Sequence, residues 1–458
     1  MPNDDVIAAI ATAWGVSAIA VVRMSGEGSA AIAGKFFRGA RPLPDEPARR
    51  MALGVIADGG TVVDQVLAVR FDRGASYTGE ESVELHCHGG VCAAGLVLDL
   101  LIRAGARAAL PGEFTKRAFL SGRIDLAQAE AVSGVISARS AAELASASRS
   151  LQGELSSALR ELSGSLTELR AQIEARIDFP DDLDGDEYAG YSSAMENLRM
   201  EGLSLLERCR VGLALRNGVR VAIAGRPNVG KSSLMNALLE RDRAIVTDIP
   251  GTTRDTLDAD FIHKGLAITL VDTAGLRNPA SGSERDVIES MGVERSREAI
   301  RGADLCLLVA DASSPVTPED ELARSEASGR PTILAMNKSD LPASGGNGFE
   351  CPERFAAQVK ISALTGEGIQ GLKDALIEAA LGGAAPSDGM MATGRMVGAI
   401  ECALMCIEGA RDAMDMSRGA DAAGSLLAEA AEFLAGPSGA DASEELQDAI
   451  FGAFCVGK

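Results

Sequence analysis

Gly225-Arg226-Pro227-Asn228-Val229-Gly230-Lys231-Ser232 follows the apolar run Val219 to Ala224, and the reading of this stretch decides how the centre of the chain folds. It fits G-x-x-x-x-G-K-[ST] directly after a buried-strand pattern. The glycines let the backbone turn tightly enough to aim several N–H groups at one anion, and the helix that follows adds the positive end of its dipole. Lys231 neutralises the terminal phosphates of a nucleotide, and the Ser232 hydroxyl is placed to hold magnesium. A chain with 51 glycines in 458 residues generates loose patterns by chance, so the residues downstream must decide whether the match is real.

Asp272-Thr273-Ala274-Gly275 ends the apolar strand Leu266 to Val271, where an aspartate reaches magnesium through water and a glycine amide senses a γ-phosphate. Asn337-Lys338-Ser339-Asp340 ends a further strand, Thr332 to Met336. The carboxylate of Asp340 accepts from N1–H and the exocyclic amine of guanine, a donor pair that adenine lacks on that edge, so the motif selects GTP. Ser362-Ala363-Leu364, after the strand Val359 to Ile361, supplies the remaining loop on the base side. Motifs in this order, each at a strand end, describe a doubly wound α/β sheet that gathers its ligand at the carboxyl ends of its strands.

Between cradle and magnesium aspartate lies Thr247-Asp248-Ile249-Pro250-Gly251-Thr252-Thr253-Arg254-Asp255, a polar segment suited to a switch loop, with Thr253 as the second magnesium ligand. The nucleotide-contacting set is therefore Asn228, Val229, Gly230, Lys231, Ser232 and Ser233 from the cradle, residues 247–253 from the switch, Asp272 to Gly275, Asn337, Lys338, Asp340, and Ser362 to Leu364. Leu276 stands where Ras-type enzymes place the glutamine that orients the attacking water. Leucine polarises nothing, so hydrolysis needs another group to hold water and another positive charge. Asn228 inside the cradle, with backbone carbonyls of the switch, offers oxygens for a monovalent cation.

The rest of the chain sets limits on partners. A length of 458 residues gives room for two to four domains, and 46% hydrophobic content suffices for sizeable cores. A formal net charge of −21 repels phosphate backbones overall, so any nucleic acid must be met at a local patch or through a basic partner. Eight cysteines, at 87, 92, 209, 306, 351, 402, 406 and 455, form no C-x-x-C pair and no dense framework, which points to reduced thiols and a cytoplasmic location. The apolar start, Val6 to Val22, follows Asp4 and Asp5 rather than a basic region and is broken by Gly15 and Ser17, so it reads as strand, turn and strand rather than a signal peptide. No later stretch is long enough to span a bilayer.

Residues 1–120 mix short β-rich runs (Ile19 to Met24, Val62 to Phe71, Ser82 to His86) with a helix from Val91 to Ala104, an α+β domain. His86-Cys87-His88 puts both histidines on one strand face and the cysteine on the other. A zinc site wants more ligands than this triplet has, and a structural or substrate-contact role fits it better. Residues 121–216 read as helical: leucines and isoleucines from Leu151 to Ile177 recur at threes and fours as in one long amphipathic helix, Phe179-Pro180 stops it, and a second helix runs from Ser193 to Arg216. Residues 217–382 hold the nucleotide motifs. Helical patterns resume within 383–458, after a Gly/Ala/Pro/Ser linker, so the economical reading is one helical domain interrupted by another domain.

Over nearly its whole length the chain resembles the tRNA modification GTPases of the MnmE/TrmE family. The residues that carry the likeness include Ser76-Tyr77-Thr78-Gly79-Glu80, Pro111-Gly112-Glu113-Phe114, Arg117-Ala118-Phe119-Leu120, Asp125 to Ala131, Ile177-Asp178-Phe179-Pro180, Gly251 to Asp255 and the tail Phe454-Cys455-Val456-Gly457-Lys458. The resemblance implies a multidomain homodimer: an α+β N-terminal domain that dimerises and binds tetrahydrofolate, an α-helical domain, and an α/β P-loop GTPase domain inserted into it. It implies an FAD-dependent partner protein, together in a heterotetramer, and modification of C5 of the wobble uridine of certain tRNAs with an aminomethyl or carboxymethylaminomethyl group. The one-carbon donor it implies is a methylene- or 5-formyl-tetrahydrofolate. Residue by residue, Arg23, Glu84, Arg123 and Lys458 match the folate-contact positions, Glu289 the water-orienting glutamate, and Cys455 the family's C-terminal cysteine, so that Glu289, Lys231, Asp272 and Cys455 form the catalytic expectation. Potassium held by Asn228 and backbone of Thr247, Ile249 and Thr252 answers the Leu276 problem and promotes pairing of G domains, with no arginine finger.

The sequence departs from the family pattern in two places. Thr393-Gly394-Arg395-Met396 lacks the usual Arg-His pair, and Leu434-Ala435-Gly436-Pro437-Ser438-Gly439 replaces an L-x-x-I-T-G turn. Two other function classes stay open at this level. A ribosome-assembly or signalling GTPase shares the nucleotide motifs but has no need of the folate positions or the F-C-x-G-K tail, and a folate-dependent transferase leaves the GTPase domain idle.

Overall fold

The computed structural model describes residues 5–178, 188–239, 258–272, 299–327, 329–342, 355–415, 419–439 and 442–458. They form two compact units, Met1–Ser133 with Leu434–Lys458, and Gly134–Phe433.

In the first unit the elements are β1 (Ile7–Ile10), β2 (Ile19–Ser25), α1 (Ser29–Gly34), β3 (Phe37–Gly39), β4 (Ala52–Asp58), β5 (Thr61–Phe71), β6 (Ser82–His88), α2 (Val91–Arg103), β7 (Arg107–Ala108) and α3 (Glu113–Leu120). The sheet order is β3-β4-β5-β6-β2-β1-β7, antiparallel except for the β1–β7 pair. Alternation sets its faces: Ala20, Val22 and Met24 of β2 and Val83, Leu85 and Cys87 of β6 are buried with α2, whereas Val21, Arg23, Glu84 and His86 point the other way. The expected strand-turn-strand at the start is the antiparallel pair of β1 and β2.

The tail closes on this unit. Phe451, in the C-terminal helix Glu444–Gly452, lies 6.1 Å from Phe119 and 5.8 Å from Phe454 between ring centroids, and Lys116 pairs with Asp448 at 2.6 Å. Gly112 opens α3 with φ 65°, and a Cβ there would sit 2.3 Å from the carbonyl oxygen of Phe451, so only glycine admits this approach. The backbone N–H of Phe114 donates to the backbone oxygen of Lys458 at 3.2 Å.

The second unit begins inside α4 (Leu126–Ser137) and contains α5 (Ala141–Leu151), α6 (Glu154–Asp178) and α7 (Tyr188–Asn217). The single long helix expected from Leu151 onward is divided: α5 ends at Leu151 and Gly153, at φ 89°, turns the chain before α6. The leucine stripe belongs to α6, which buries Leu155, Leu159, Leu162, Leu166, Leu169 and Ile173.

The inserted sheet comprises β8 (Val219–Ala224), β9 (Asp258–His263), β10 (Leu266–Asp272), β11 (Leu305–Asp311), β12 (Thr332–Asn337) and β13 (Ala357–Lys360), in the order β13-β12-β11-β8-β10-β9. All neighbours run parallel except the edge pair β9–β10. Helices α8 (Lys231–Leu239), α9 (Pro318–Glu326) and α10 (Ile369–Ala380) accompany these strands. Nearly continuous burial of β8, β11 and β12 is what a parallel sheet covered on both faces demands. The chain then forms α11 (Gly394–Asp415), antiparallel to α7, as the pairs Arg210–Glu401 and Arg411–Glu196 require, and α12 (Ala420–Ala435).

Candidate functional site

The cradle is set by β8, which ends at Ala224 and releases the chain into a loop with Gly225 at φ 146°, Asn228 at φ 65° and Gly230 at φ 95°. A Cβ on Gly225 would lie 2.4 Å from the Val309 carbonyl oxygen, and one on Gly230 would lie 2.4 Å from Asn337 Nδ2. The two glycines are thus fixed by close approach as well as by dihedral. Val229 is fully buried, Asn228 is exposed, and Lys231 opens α8 with Ser232 and Ser233 exposed on its first turn. Lys231 Nζ donates to the carbonyl oxygens of Gly225 at 2.7 Å and Arg226 at 2.8 Å, so the ammonium is held over the loop that a phosphate would fill.

Across the sheet, Asn337 Nδ2 donates to the Val229 carbonyl at 2.8 Å while its Oδ1 accepts from Ala363 N at 2.9 Å. One buried side chain therefore ties the cradle to both loops assigned to the base. Ser362 is fully buried, Asp340 is exposed with its carboxylate available, and Leu364 is 87% exposed. The strand ends explain the convergence: Asp272 pairs in register with Ile223 and Asp311 with Asn337. Thr247 to Thr253, Thr273 to Gly275, Leu276 and Glu289 lie outside the described residues, as does the Asp272 side chain. Sequence reasoning missed Arg226 and Asp311, although Asp311 ends an apolar strand as the other motif residues do.

A second cluster stands on the first unit. Arg23 and Glu84 are register partners on β2 and β6 and form a 2.8 Å ion pair. The Arg23 guanidinium lies over two rings, 5.9 Å from the Tyr77 centroid and 5.8 Å from that of Phe114. The Tyr77 hydroxyl is 3.0 Å from Thr115 Oγ1, and burial, only partly offset by that hydrogen bond, pushes its pKa up. Arg123 Nη1 donates to the Gly74 carbonyl at 3.2 Å, at the foot of the turn that carries Tyr77. Of the residues matched to folate contacts, Arg23 and Glu84 touch, Arg123 borders their turn, and Lys458 joins through the backbone bond to Phe114. Tyr77 and Phe114 were missed as contacts because nothing in their spacing announces the arginine they meet.

Cys455 is exposed, and its backbone carbonyl accepts from Gly112 N at 3.4 Å. Cys87 is buried and its thiol is pushed up to about 12 by burial and then by Asp64, while His88 Nδ1 pairs with Asp64 at 2.6 Å. No group of three or more histidine, cysteine or acidic side chains suited to a metal occurs among the described residues. No described helix is long and apolar enough to cross a membrane.

The sequence pattern of the "GTP-binding protein TrmE N-terminus" matches residues 6–123, and that of the "MnmE helical domain" matches residues 126–455, most of the chain. The chain belongs to the MnmE/TrmE family. The tRNA modification GTPase MnmE of Chloroflexus aurantiacus is 41% identical over 99% of this chain and 100% of its own length, and that of Geobacillus thermodenitrificans is 39% identical over 100% of each. Among solved structures, the G domain of the T. maritima FeoB iron transporter is 30% identical over 35% of this chain and 98% of its own, with a TM-score of 0.26, too low to bear on the fold. As an MnmE/TrmE family member the chain is a GTP-binding GTPase that acts in tRNA modification, with tRNA as substrate.

Proposed function

We propose that this family member is a potassium-dependent GTP hydrolase that, with an FAD-dependent partner protein, modifies C5 of the wobble uridine of certain tRNAs by aminomethyl or carboxymethylaminomethyl addition from a tetrahydrofolate one-carbon donor. The observation that carries the reading is the Arg23–Glu84 pair, with the Arg23 guanidinium over the Tyr77 and Phe114 rings, on the same chain as the GTP cradle. A pterin presents, like guanine, an amino group and ring N–H that one carboxylate can accept, and it has a face on which an aromatic ring or guanidinium can stack. Glu84 fits the first role and Tyr77 with Arg23 the second; Arg123 and Lys458 offer cations to the carboxylates of the folate tail. When bound, the folate supplies the carbon unit. Cys455, exposed on the tail that joins this cluster through Phe114, stands within the same unit as a thiol for the modification chemistry.

A homodimer is supported by the same sheet face. Leu53, Leu67, His86 and Val21 form one row across β4, β5, β6 and β2, with Leu53 62% and Leu67 40% exposed, beside the row that holds Glu84 and Arg23. The apolar members of this row, Leu53, Leu67 and Val21, are what a second copy would cover. In the GTPase domain the exposed Asn228 would offer its side-chain oxygen to potassium, which would supply positive charge for hydrolysis, and Ser232 would offer its hydroxyl to magnesium.

Mass spectrometry of tRNA nucleosides from cells lacking this protein tests the reading: loss of the C5-modified wobble uridine is expected, and its persistence would place the protein in another tRNA pathway. For the cation, GTP turnover in potassium is expected to exceed that in sodium by about tenfold or more, which corresponds to about 1.4 kcal/mol of barrier. Asn228→Ala should remove that difference. Equal turnover in the two salts, or an Asn228→Ala variant that still distinguishes them, sinks the assignment.

A further inference from the structure

Lys338, the lysine of the guanine motif, has φ 65° and carries a flexible four-carbon stem, yet its ammonium is fixed: Nζ lies 2.6 Å from Asp311 Oδ2. Asp311 is itself held. Its other oxygen accepts from Ser313 N at 2.9 Å and from Ser313 Oγ at 2.6 Å, and its side chain is only 9% exposed. Burial would raise this carboxyl, but Lys338 and Ser313 hold it below its ordinary value, so Asp311 is a carboxylate at neutral pH. Arg226 of the cradle approaches the same Asp311 oxygen, with Nη2 3.9 Å from Oδ2, Nη2 donating to Ser314 Oγ at 2.6 Å and Nε to Asp320 Oδ1 at 3.1 Å. The carbonyl of the same Arg226 accepts from Lys231.

We propose that Asp311 is a positioning residue for GTP binding, which anchors the Lys338 ammonium so that the lysine stem lies ready against the guanine plane, and which faces the cradle through Arg226. Neither the sequence motifs nor the family matches assign this position. The physical gain is preorganisation: a free lysine loses its rotamer freedom when nucleotide arrives, whereas an anchored one has lost it already. Asp311 suits the task because it is the register partner of Asn337, so β11 and β12 deliver the carboxylate beside the motif whatever the loops do.

The test uses the purified full chain, with N-methylanthraniloyl-GDP fluorescence titration and steady-state GTP turnover in potassium. Asp311→Asn keeps shape and removes charge. It is expected to raise the Kd for the labelled GDP and the KM for GTP by about ten- to a hundredfold, the range for losing a charge-assisted hydrogen bond, with kcat at saturation changed less than about twofold. Lys338→Ala should also weaken binding, and the double variant should bind no more weakly than Lys338→Ala alone, because Asp311 acts through that lysine. A merely structural aspartate predicts additive penalties, and additivity, or an unchanged Kd and KM in Asp311→Asn, overturns the proposal. Should Asp311→Asn fail to fold, Ser313→Ala, which removes the hydroxyl bond to Oδ1 while keeping the backbone bond and the charge, is expected to raise the same Kd by about two- to tenfold, and no rise counts against it.

Discussion

Lys231→Ala is expected to lower GTP turnover by on the order of 10²- to 10³-fold, the usual effect of deleting one preorganised electrostatic contact to a reacting phosphate. The ammonium is buried at 7% exposure and already bonded to the carbonyls of Gly225 and Arg226, so no reorganisation is needed to bring it to the phosphates. Arginine should not rescue it, since a planar guanidinium cannot seat as a point charge between two carbonyls of one tight loop. Because Lys231 lies at the first turn of α8 rather than in the sheet core, the alanine variant should melt close to the parent protein. Turnover within tenfold of the parent, in a variant that folds, would contradict the assignment of this lysine to the reaction.

Arg117→Met carries the largest expected effect on stability. Its side chain is 2% exposed, with Nη2 2.6 Å from Asp5 Oδ1 and 3.1 Å from Glu113 Oε1, and Nη1 3.2 Å from Glu80 Oε2. Arg107 shares two of these acids, at 2.7 Å from Asp5 and 2.6 Å from Glu113. Removing the central cation leaves the buried Glu113 and the partly exposed Asp5 and Glu80 short of a partner, and the cost is expected to be about 3–5 kcal/mol, measured by denaturant unfolding of the full chain. A loss below about 1 kcal/mol would mean that Arg107 alone suffices.

The same cluster fixes a pH dependence. Burial pushes the carboxyls of Asp5 and Glu113 up, but Arg107 and Arg117 outweigh it, and both end below their ordinary values of 3.8 and 4.5. Depressed folded-state values mean that their stabilisation is complete above those ordinary values and is lost as pH falls through the depressed ones. The parent protein should lose stability progressively as acid is added below pH 4.5, and Arg117→Met should show a shallower loss because less of the shift remains. An identical slope in the two proteins would show that other acids dominate.

The parts of this protein that were legible in the sequence are those whose physics is local. The strand Val219–Ala224 and the cradle after it were readable because a phosphate loop needs its glycines and lysine within one turn of chain. The strand ends at Asp272 and Asn337, and the antiparallel start of β1 and β2, follow from periodicity and punctuation in the same way. The leucine stripe gave the buried face of α6 correctly but not its beginning, since an i, i+4 pattern continues through Gln152-Gly153 while the backbone turns at Gly153.

Which residues meet across the fold is a matter of packing. Arg23 finds Glu84 through the β2–β6 register, Arg117 gathers Asp5, Glu80 and Glu113, Asp311 takes Lys338, and the tail brings Lys458 to Phe114. Apart from Glu113–Arg117, an i, i+4 pair on α3, none of these pairs has a characteristic spacing, because strand register and packing are set by the summed burial of whole faces rather than by either member of the pair. A GTP cradle, its base motif and the family follow from residues close together in the chain, whereas register and packing set which distant side chains meet at that cradle and at the folate candidate.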